Sequence, residues 1–443
     1  MKLELPRGMR DLESDDLLGI NYIKEKFFET ARLFNFKSIE PSPVEMLATL
    51  EAKAGPSISN DIYSFTDKGE RNIALRFDLT VGLTRFVASR RDLKLPVKIA
   101  AFAGVWRYDE PQAARYRYFH QWDIEIYGSF SLESDAEVIE FSSMFLKKLG
   151  LKVIIEINDL QLIEEYIERV LEVHEQKMLR EMLRALDKVP KKSSEELFNE
   201  YSGRINPNIL RSLLDLSKIK GRLEEVRETL DSKGLISWRK LEELMDSLKS
   251  RKVDDTRINL GIVRGLDYYS GIVFEAFDPL INVGALVGGG RYDTLTEAFG
   301  RKDIGASGAA GGVERIVLAM QKRGLLEPLK TPIVYVAHTS LSVRKHVLEI
   351  VSDLRKSGIN TDYDIQKRSM RKQLEDACAK NSLLIIFVVE GEIGNGHVTL
   401  KDMKDRTETV LNVNNLTQEV CKLFRKRELE QVVPNLGLLC RKS

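Results

Sequence analysis

The run Arg264-Gly265-Leu266-Asp267-Tyr268-Tyr269-Ser270-Gly271 sets a permanent cation, two phenols and two glycines ahead of the apolar stretch Ile272-Val273-Phe274. A guanidinium stays charged and presents a planar fork of donors matched to phosphate. Tyrosines offer flat walls that end in hydroxyls, and glycines let the backbone come close to a ligand. The chemistry open to this group is phosphate binding in an aromatic-walled pocket. The alternative is a strand end with an exposed Arg and two interface tyrosines.

Three other segments bear on that choice. In Arg76-Phe77-Asp78-Leu79-Thr80 a carboxylate and a hydroxyl sit two apart at a strand-to-helix turn. The pair suits an ammonium group or an ordinary helix cap. In Trp106-Arg107-Tyr108-Asp109 through Arg115 to Glu125, alternation along a strand puts Phe119, Gln121, Asp123 and Glu125 on one face. A ring, an amide and two carboxylates make a poor core and a good pocket floor. In Gly311-Gly312-Val313-Glu314-Arg315 an Arg lies one turn into a helix that starts after glycines, and helix N-termini favour phosphate.

The elements that must hold these residues can be read in outline. Asp15 to Phe34 is predicted as an amphipathic helix ended by Asn35, and Phe36 to Glu40 as a strand stopped by Pro41 and Pro43. Thr80 to Arg91 is helical. Val97 to Arg107 and Tyr118 to Tyr127 read as strands joined by a loop, which implies an antiparallel sheet. From 159 to 252 the chain reads as an all-helical insertion outside the sheet, with a capping box at Ser193 and Glu196. Strand sequence resumes at Asn259 and runs through Arg264 to Phe277, then again from Gly284 to Val287. Gly305 to Gly312 reads as a small-residue run opening the helix that carries Glu314 and Arg315. After Pro332 strands and helices alternate over about a hundred residues in an α/β pattern, and an irregular tail is expected from about Glu428.

The expected fold class is therefore α+β. Its parts are a catalytic domain at 1–158 and 253–328, the insertion at 159–252, an α/β domain at 329–428 and a tail at 429–443. Composition agrees with a multidomain globular protein: 443 residues, 43% hydrophobic, 30% charged and a net charge of +1. No whole-molecule field points to a polyanionic partner, so nucleic-acid binding must rest on local patches. Three cysteines and five histidines show no metal-ligand spacing. No metal site built from protein side chains is expected. The N-terminus lacks a signal-peptide core and no run is long enough to span a bilayer, so the default is a cytoplasmic protein with no membrane role.

Taken together, these segments resemble the class II aminoacyl-tRNA synthetases and, among them, the histidine-specific family in its archaeal and eukaryotic branch. Arg107-x-Asp109 with the following strand is similar to the class's second signature, and Gly312-x-Glu314-Arg315 to its third. The N-terminal helix and the strand ending at Pro41 or Pro43 look like the first, which builds the dimer interface. The peptides Arg264-Gly265-Leu266-Asp267-Tyr268-Tyr269 and Gly289-Gly290-Arg291-Tyr292-Asp293 carry the family assignment, because they are long and stand in the right order.

The resemblance implies ATP-dependent ligation of L-histidine to tRNA(His) through a histidyl-adenylate, by a homodimer, with Mg²⁺ accompanying ATP. It implies that Arg107 and Arg264 are catalytic, holding the α-phosphate from two sides. Arg115 and Arg315 hold the outer phosphates, Phe119 stacks on adenine, and Asp109 accepts from the adenine amino group. Asp78, Thr80 and Gln121 hold the α-amino group, Glu125 and Tyr269 read the imidazole, and Tyr268 and Tyr292 are walls, with Arg264 also facing histidine. Asp78 stands where bacterial members carry Glu, and Asp109 where the class often carries Glu, each one methylene shorter. The C-terminal domain resembles an anticodon-binding domain, and Arg368, Arg371 and Lys372 form a candidate RNA-phosphate patch. A rival is the catalytically inactive paralogue that serves as a regulatory subunit of ATP phosphoribosyltransferase. It typically lacks the C-terminal domain and the adenylate-forming arginines.

Overall fold

The computed structural model describes residues 3–439 except 55–57, 59–60, 109–115, 190–191, 231–233, 236, 264–268 and 327–332; side chains are also left aside at 53–54 and 427–439. The chain divides into two compact units, Met1–Leu325 and Leu326–Ser443.

The first unit is built on a nine-stranded sheet. Its strands run in the order Lys37–Ser38, Val97–Trp106, Tyr118–Tyr127, Ala306–Gly312, Val287–Arg291, Ile272–Phe277, Ile154–Asp159, Thr256–Asn259 and Lys220–Gly221. Pairing is antiparallel from Val97–Trp106 through to Ile154–Asp159. Lys37–Ser38 joins one flank in parallel and Thr256–Asn259 the other. One face of the sheet carries the helices Ser14–Leu33, Leu132–Lys148 and Val313–Lys322. Between the first two and the sheet lies a knot of rings, with Trp122 5.5 Å from Phe27 and 5.1 Å from Phe145. Thr80–Ser89 and Asp293–Ala298 cover the other face, closing a core of Leu79, Leu83, Val87, Ile99, Tyr127 and Tyr292.

Several sequence expectations need correction. The small-residue run Gly305 to Gly312 does lead into the helix at Val313, but Ala306–Gly312 is itself a central strand. The strand placed at Gly284 to Val287 is instead Val287–Arg291, so the glycine triplet lies inside the sheet. Strand sequence resumes at Thr256, breaks after Asn259 and restarts at Ile272. The strand expected at Phe36 to Glu40 keeps only Lys37–Ser38. Small residues have weak strand propensity, yet here they are what the neighbours leave room for. A Cβ on Gly308 would meet Glu125 Oε2 at 1.5 Å, and one on Gly311 would meet Trp122 Nε1 at 2.6 Å.

Residues 160–250 form the helices Leu160–Arg169, Gln176–Lys188, Ser194–Tyr201, Pro207–Leu216, Leu223–Leu230 and Trp238–Ser250 among the described residues. They bury one apolar stripe each, including Leu179, Met182, Leu186, Leu210, Leu213, Leu241 and Leu248. Ser193 and Glu196 make the expected capping box. This segment is not wholly separate from the sheet, however, because Lys220–Gly221 pairs with Thr256–Asn259.

The second unit holds a five-stranded sheet in the order Thr361–Tyr363, Val334–His338, Leu384–Val388, His397–Asp402, Thr407–Asn412. The first three strands are parallel, as α/β alternation predicts, and the last two form an antiparallel hairpin. Helix Arg344–Lys356 and the last helix cover a core of Val336, Val347, Leu354, Ile386, Leu416 and Val420. That last helix spans Val413–Leu439, where an irregular tail was expected from Glu428. Glu428-Leu429-Glu430-Gln431 favour a helix, and the helix runs on past Pro434 and Gly437. Among the described residues no helix is long and apolar enough to cross a membrane.

Candidate active site

The floor of the candidate site is the strand Tyr118–Tyr127. Its ladder with Val97–Trp106 on one side and Ala306–Gly312 on the other fixes which side chains face up. Trp122 and Ile124 point into the core. Phe119, Gln121, Asp123, Glu125 and Tyr127 share the opposite face by strand alternation. Gln121, Asp123 and Glu125 are all buried, at 5%, 0% and 1% exposure. Buried polar groups are costly unless hydrogen-bonded, and these are joined in a network.

Gln121 Nε2 donates to Asp123 Oδ1 at 2.9 Å, and Thr80 Oγ1 donates to Asp123 Oδ2 at 3.1 Å. Arg107 Nη2 donates to Gln121 Oε1 at 3.2 Å, while its Nε holds the Phe77 carbonyl at 2.9 Å. The Arg107 guanidinium also lies 5.1 Å from the centre of the Phe119 ring. Asp78 Oδ1 accepts from the Val81 amide at 3.1 Å, which meets the capping reading of that carboxylate. Further along, the Tyr292 hydroxyl donates to Glu125 Oε2. The Tyr269 and Tyr292 rings stand 6.4 Å apart, edge to face. Burial pushes the Tyr292 and Tyr127 hydroxyls well above the ordinary phenol range, and the Glu125 charge adds to it. Both stay protonated and able to donate.

The helix Val313–Lys322 approaches the floor from its end. A Cβ on Gly312 would lie 4.0 Å from the Phe119 ring. Glu314 grips the floor strand, accepting from the His120 amide at 2.9 and 3.0 Å, with His120 Nδ1 3.0 Å away. Arg315 Nη1 donates to the Ala285 carbonyl at 2.8 Å.

Sequence reasoning thus placed Arg107, Phe119, Gln121, Glu125, Thr80, Asp78, Tyr269 and Tyr292 in one neighbourhood of the sheet. Arg264, Tyr268, Asp109 and Arg115 lie outside the described residues. Asp123 was seen on the right face but not given a role, although it is the hub that ties Thr80 to Gln121. Arg291 was seen only as part of a peptide. It is a buried structural cation: it binds Asp135 Oδ2 at 2.7 Å, Ser134 Oγ at 2.9 Å, and the Ser129 and Ser131 carbonyls. Burial pushes the Asp135 carboxyl up, with Arg291 and Ser307 opposing it. No local signal could have paired residues 156 positions apart.

In the second unit the three candidate RNA-binding cations separate. Arg368 is spoken for, with Nε 2.5 Å from Asp364 and Nη2 2.8 Å from Asp376. Arg371 is 89% exposed beside Glu375, and Lys372 is exposed.

The histidyl-tRNA synthetase family model matches residues 8–316, and an anticodon-binding domain model matches 332–423. A relative from Pyrococcus abyssi named histidine--tRNA ligase is 34% identical over 436 residues, covering 96% of this chain and all of that protein. The chain belongs to the histidyl-tRNA synthetase family. Solved structures agree at the level of the fold. Histidyl-tRNA synthetase from Nostoc sp. PCC 7120 superposes with a TM-score of 0.77 at 23% identity, covering 95% of this chain and 99% of that one. A Bacillus halodurans structure, titled as an ATP phosphoribosyltransferase regulatory subunit/histidyl-tRNA synthetase, gives 0.70 at 20% identity, covering 88% and 99%. As in other synthetases of this family, the α+β architecture sets a helix-backed antiparallel sheet beneath the residues described above.

Proposed function

We propose that the protein is a histidine--tRNA ligase that joins L-histidine to tRNA(His) with ATP, by class II chemistry. The observation that carries the reading is the strand face on which Arg107 and Phe119 adjoin Gln121, Asp123 and Glu125. On this reading Arg107 would bind phosphate beside Phe119 as a stacking ring at one end, and Glu125 would accept a ring N–H at the other. The near full-length likeness to archaeal histidine--tRNA ligases supports the same substrate.

In the first step a histidine carboxylate oxygen bonds to the α-phosphorus, the bond to the β-phosphate oxygen breaks, and pyrophosphate leaves. Such a displacement is accelerated mainly by positioning and charge stabilisation. Arg107 would hold the α-phosphate from one side and Arg264 from the other, with Arg115 and Arg315 on the outer phosphates. Phe119 would stack on adenine and Asp109 accept from its amino group. Mg²⁺ would arrive with ATP, ligated by phosphate oxygens and water. Among the described residues no three His, Cys, Asp or Glu side chains converge to hold an ion. Asp78, Thr80 and Gln121 would hold the histidine α-amino group, Thr80 and Gln121 being aimed by Asp123. Glu125 and Tyr269 would read the imidazole, between Tyr268 and Tyr292. In the second step a hydroxyl of the tRNA 3′-terminal ribose takes the histidyl group and AMP departs.

The domain reading follows: a catalytic domain at 1–158 and 253–328, the helical insertion at 159–252 and an anticodon-binding domain from about 329. Arg371 and Lys372 would touch tRNA phosphates, with Arg368 bracing their helix. A cytoplasmic homodimer completes the reading. Pro41 is buried within its own unit while Pro43 is exposed, which leaves Pro43 the one available to a partner subunit.

The deciding measurement is histidine-dependent exchange of pyrophosphate into ATP by the purified protein. Exchange with histidine and not with other amino acids is expected. A folded protein without exchange would instead be read as the regulatory paralogue.

A further inference from the structure

Two helices meet beside the segment that carries Tyr269. Helix Leu160–Arg169 presents Gln161 and Glu165 one turn apart on one face. Both reach the start of helix Trp238–Ser250. The Ser237 amide donates to Glu165 Oε2 at 2.8 Å, and Lys240 Nζ donates to Gln161 Oε1 at 2.5 Å. Just past the other end of that helix, Arg251 binds Glu140 and Glu133 of helix Leu132–Lys148 at 2.6 Å each. Helix Trp238–Ser250 is therefore moored at both ends, with Lys240 set against Gln161.

The second end of the Gln161 amide is used as well. Its Nε2 donates to the Ser270 carbonyl at 3.3 Å. An amide suits both partners at once, accepting from an ammonium through oxygen and donating to a carbonyl through nitrogen. A carboxylate of the same length could serve Lys240 but has no proton for Ser270. Ser270 follows Tyr269, and the chain on either side of its carbonyl is pinned: the Ser270 amide donates to the Arg291 carbonyl at 2.8 Å, and the Leu160 amide to the Gly271 carbonyl at 3.1 Å. The Tyr269 ring is packed closely enough to feel a shift of that chain, since a Cβ on Gly290 would stand 3.2 Å from its Cδ1.

We propose that Gln161 is a positioning residue for the amino-acid substrate. By holding the Ser270 carbonyl it sets the backbone from which the Tyr269 ring reaches the imidazole, and Lys240 keeps the amide turned to do so. Gln161 acts through Tyr269 and never touches the substrate. The inference rests on the histidine-pocket reading above and extends it to the first turn of a helix outside the pocket.

The test measures histidine and ATP KM in pyrophosphate exchange for full-length wild type and variants. Gln161→Glu keeps the side-chain length and an acceptor for Lys240, and puts an anion in the first turn of a helix, where it is favoured. Its melting temperature should not fall, yet histidine KM should rise about fivefold for the lost hydrogen bond. ATP KM should stay within about twofold. Gln161→Met, which has no donor either, should raise histidine KM to a similar extent. Lys240→Met should raise it less, by about twofold, because the amide keeps its donor and loses only its orientation. In a Tyr269→Phe background Gln161→Glu should add less than about twofold, since both changes disturb one contact. An unchanged histidine KM in either Gln161 variant would overturn the proposal, and so would equal losses for histidine and ATP. A full further loss on top of Tyr269→Phe would also overturn it, because Gln161 would then act by another route. A wild type that shows no histidine-dependent exchange would overturn the pocket reading itself.

Discussion

In the nine-stranded sheet, the strand Tyr118–Tyr127 buries Asp123 and Glu125 and meets a neighbour made of Ala, Ser and Gly. In the five-stranded sheet, the inner strands bury Val334, Val336, Leu384, Ile386 and Val388, and a typical cation, Arg371, is 89% exposed. The first arrangement gives core space to carboxylates and must supply each with donors. The second keeps hydrophobic burial in the core and leaves charge in water, where ion pairs contribute little. The contrast teaches where precision is held: in the network of the first sheet, and on the surface of the second.

The same contrast holds for single residues. Asp159 and Asp364 both have side chains with no exposed surface. Burial pushes Asp159 up to about 6, against weaker help from the Gln161 amide and Lys240, and its Oδ2 has no hydrogen-bond partner among the described residues. Asp364 meets a burial penalty too, but its bonds to Arg368 outweigh it and hold the carboxyl below the ordinary range. Asp364 lies under a thin layer near the surface, whereas Asp159 sits deep at the start of helix Leu160–Arg169.

The largest effect is expected from adding one carbon to each unit. Gly308→Ala would place a Cβ 1.5 Å from Glu125 Oε2, 2.6 Å from its carboxyl carbon and 2.7 Å from the Ile124 carbonyl. The carboxylate must swing away, and kcat/KM for histidine in pyrophosphate exchange should fall by about a hundredfold or more. Gly391→Ala, in the second unit, meets nothing within 4 Å. It should leave exchange unchanged and shift stability by less than about 1 kcal/mol. Equal losses of exchange in the two variants would break the contrast.

That pair also shows how much the sequence revealed. The alternation of Phe119, Gln121, Asp123 and Glu125 was legible because a ten-residue strand fixes the faces by itself. The partner strand was not. Ala306–Gly312 has no strand propensity of its own, and its identity depends on the Glu125 and Trp122 side chains that press on it from a strand about 180 residues earlier. The Arg291–Asp135 pair was hidden for the same reason. The Asp78 and Arg368 patterns were visible, but sequence alone could not say that Asp78 caps a helix or that Arg368 is held by two aspartates.

The next effect concerns pH. Asp159 has a folded value near 6 against an ordinary 3.8, so its protonated form is the one the fold prefers. Its contribution is fully present below 3.8 and is lost as pH rises through about 6, a gap of roughly 3 kcal/mol. Asp159→Asn keeps a helix-capping oxygen and should gain on wild type by up to about that amount between pH 4 and 7, read from urea midpoints. Asp364 has the opposite sign: its contribution exists above the ordinary carboxylate range and fades as acid protonates it. Asp364→Asn should therefore be less stable than wild type at pH 7, converging with it in acid. If both substitutions moved stability the same way at pH 7, burial alone and not the Arg368 partner would govern the two sites.

The smallest effect tests whether the exposed charge of the second unit has any part in the reaction. Arg371 and Lys372 lie on the outer side of helix Met370–Ala379, whose inner side is pinned by Gln373 to the His338 amide and carbonyl. Replacing both cations with Ala should leave that anchor intact and the melting temperature unmoved. Pyrophosphate exchange, which needs no tRNA, should be unchanged. In full aminoacylation the KM for tRNA(His) should rise by about threefold at low salt, and the salt dependence should become shallower by about one ion for each phosphate no longer neutralised. Arg368→Ala would give a different pattern, because it strips Asp364 and Asp376 of a shared partner and should lower stability before it alters tRNA affinity. An Arg371 and Lys372 double variant with an unmoved tRNA KM at low salt would place RNA binding elsewhere on this unit, and would leave these cations as solvated charge with no recognition role.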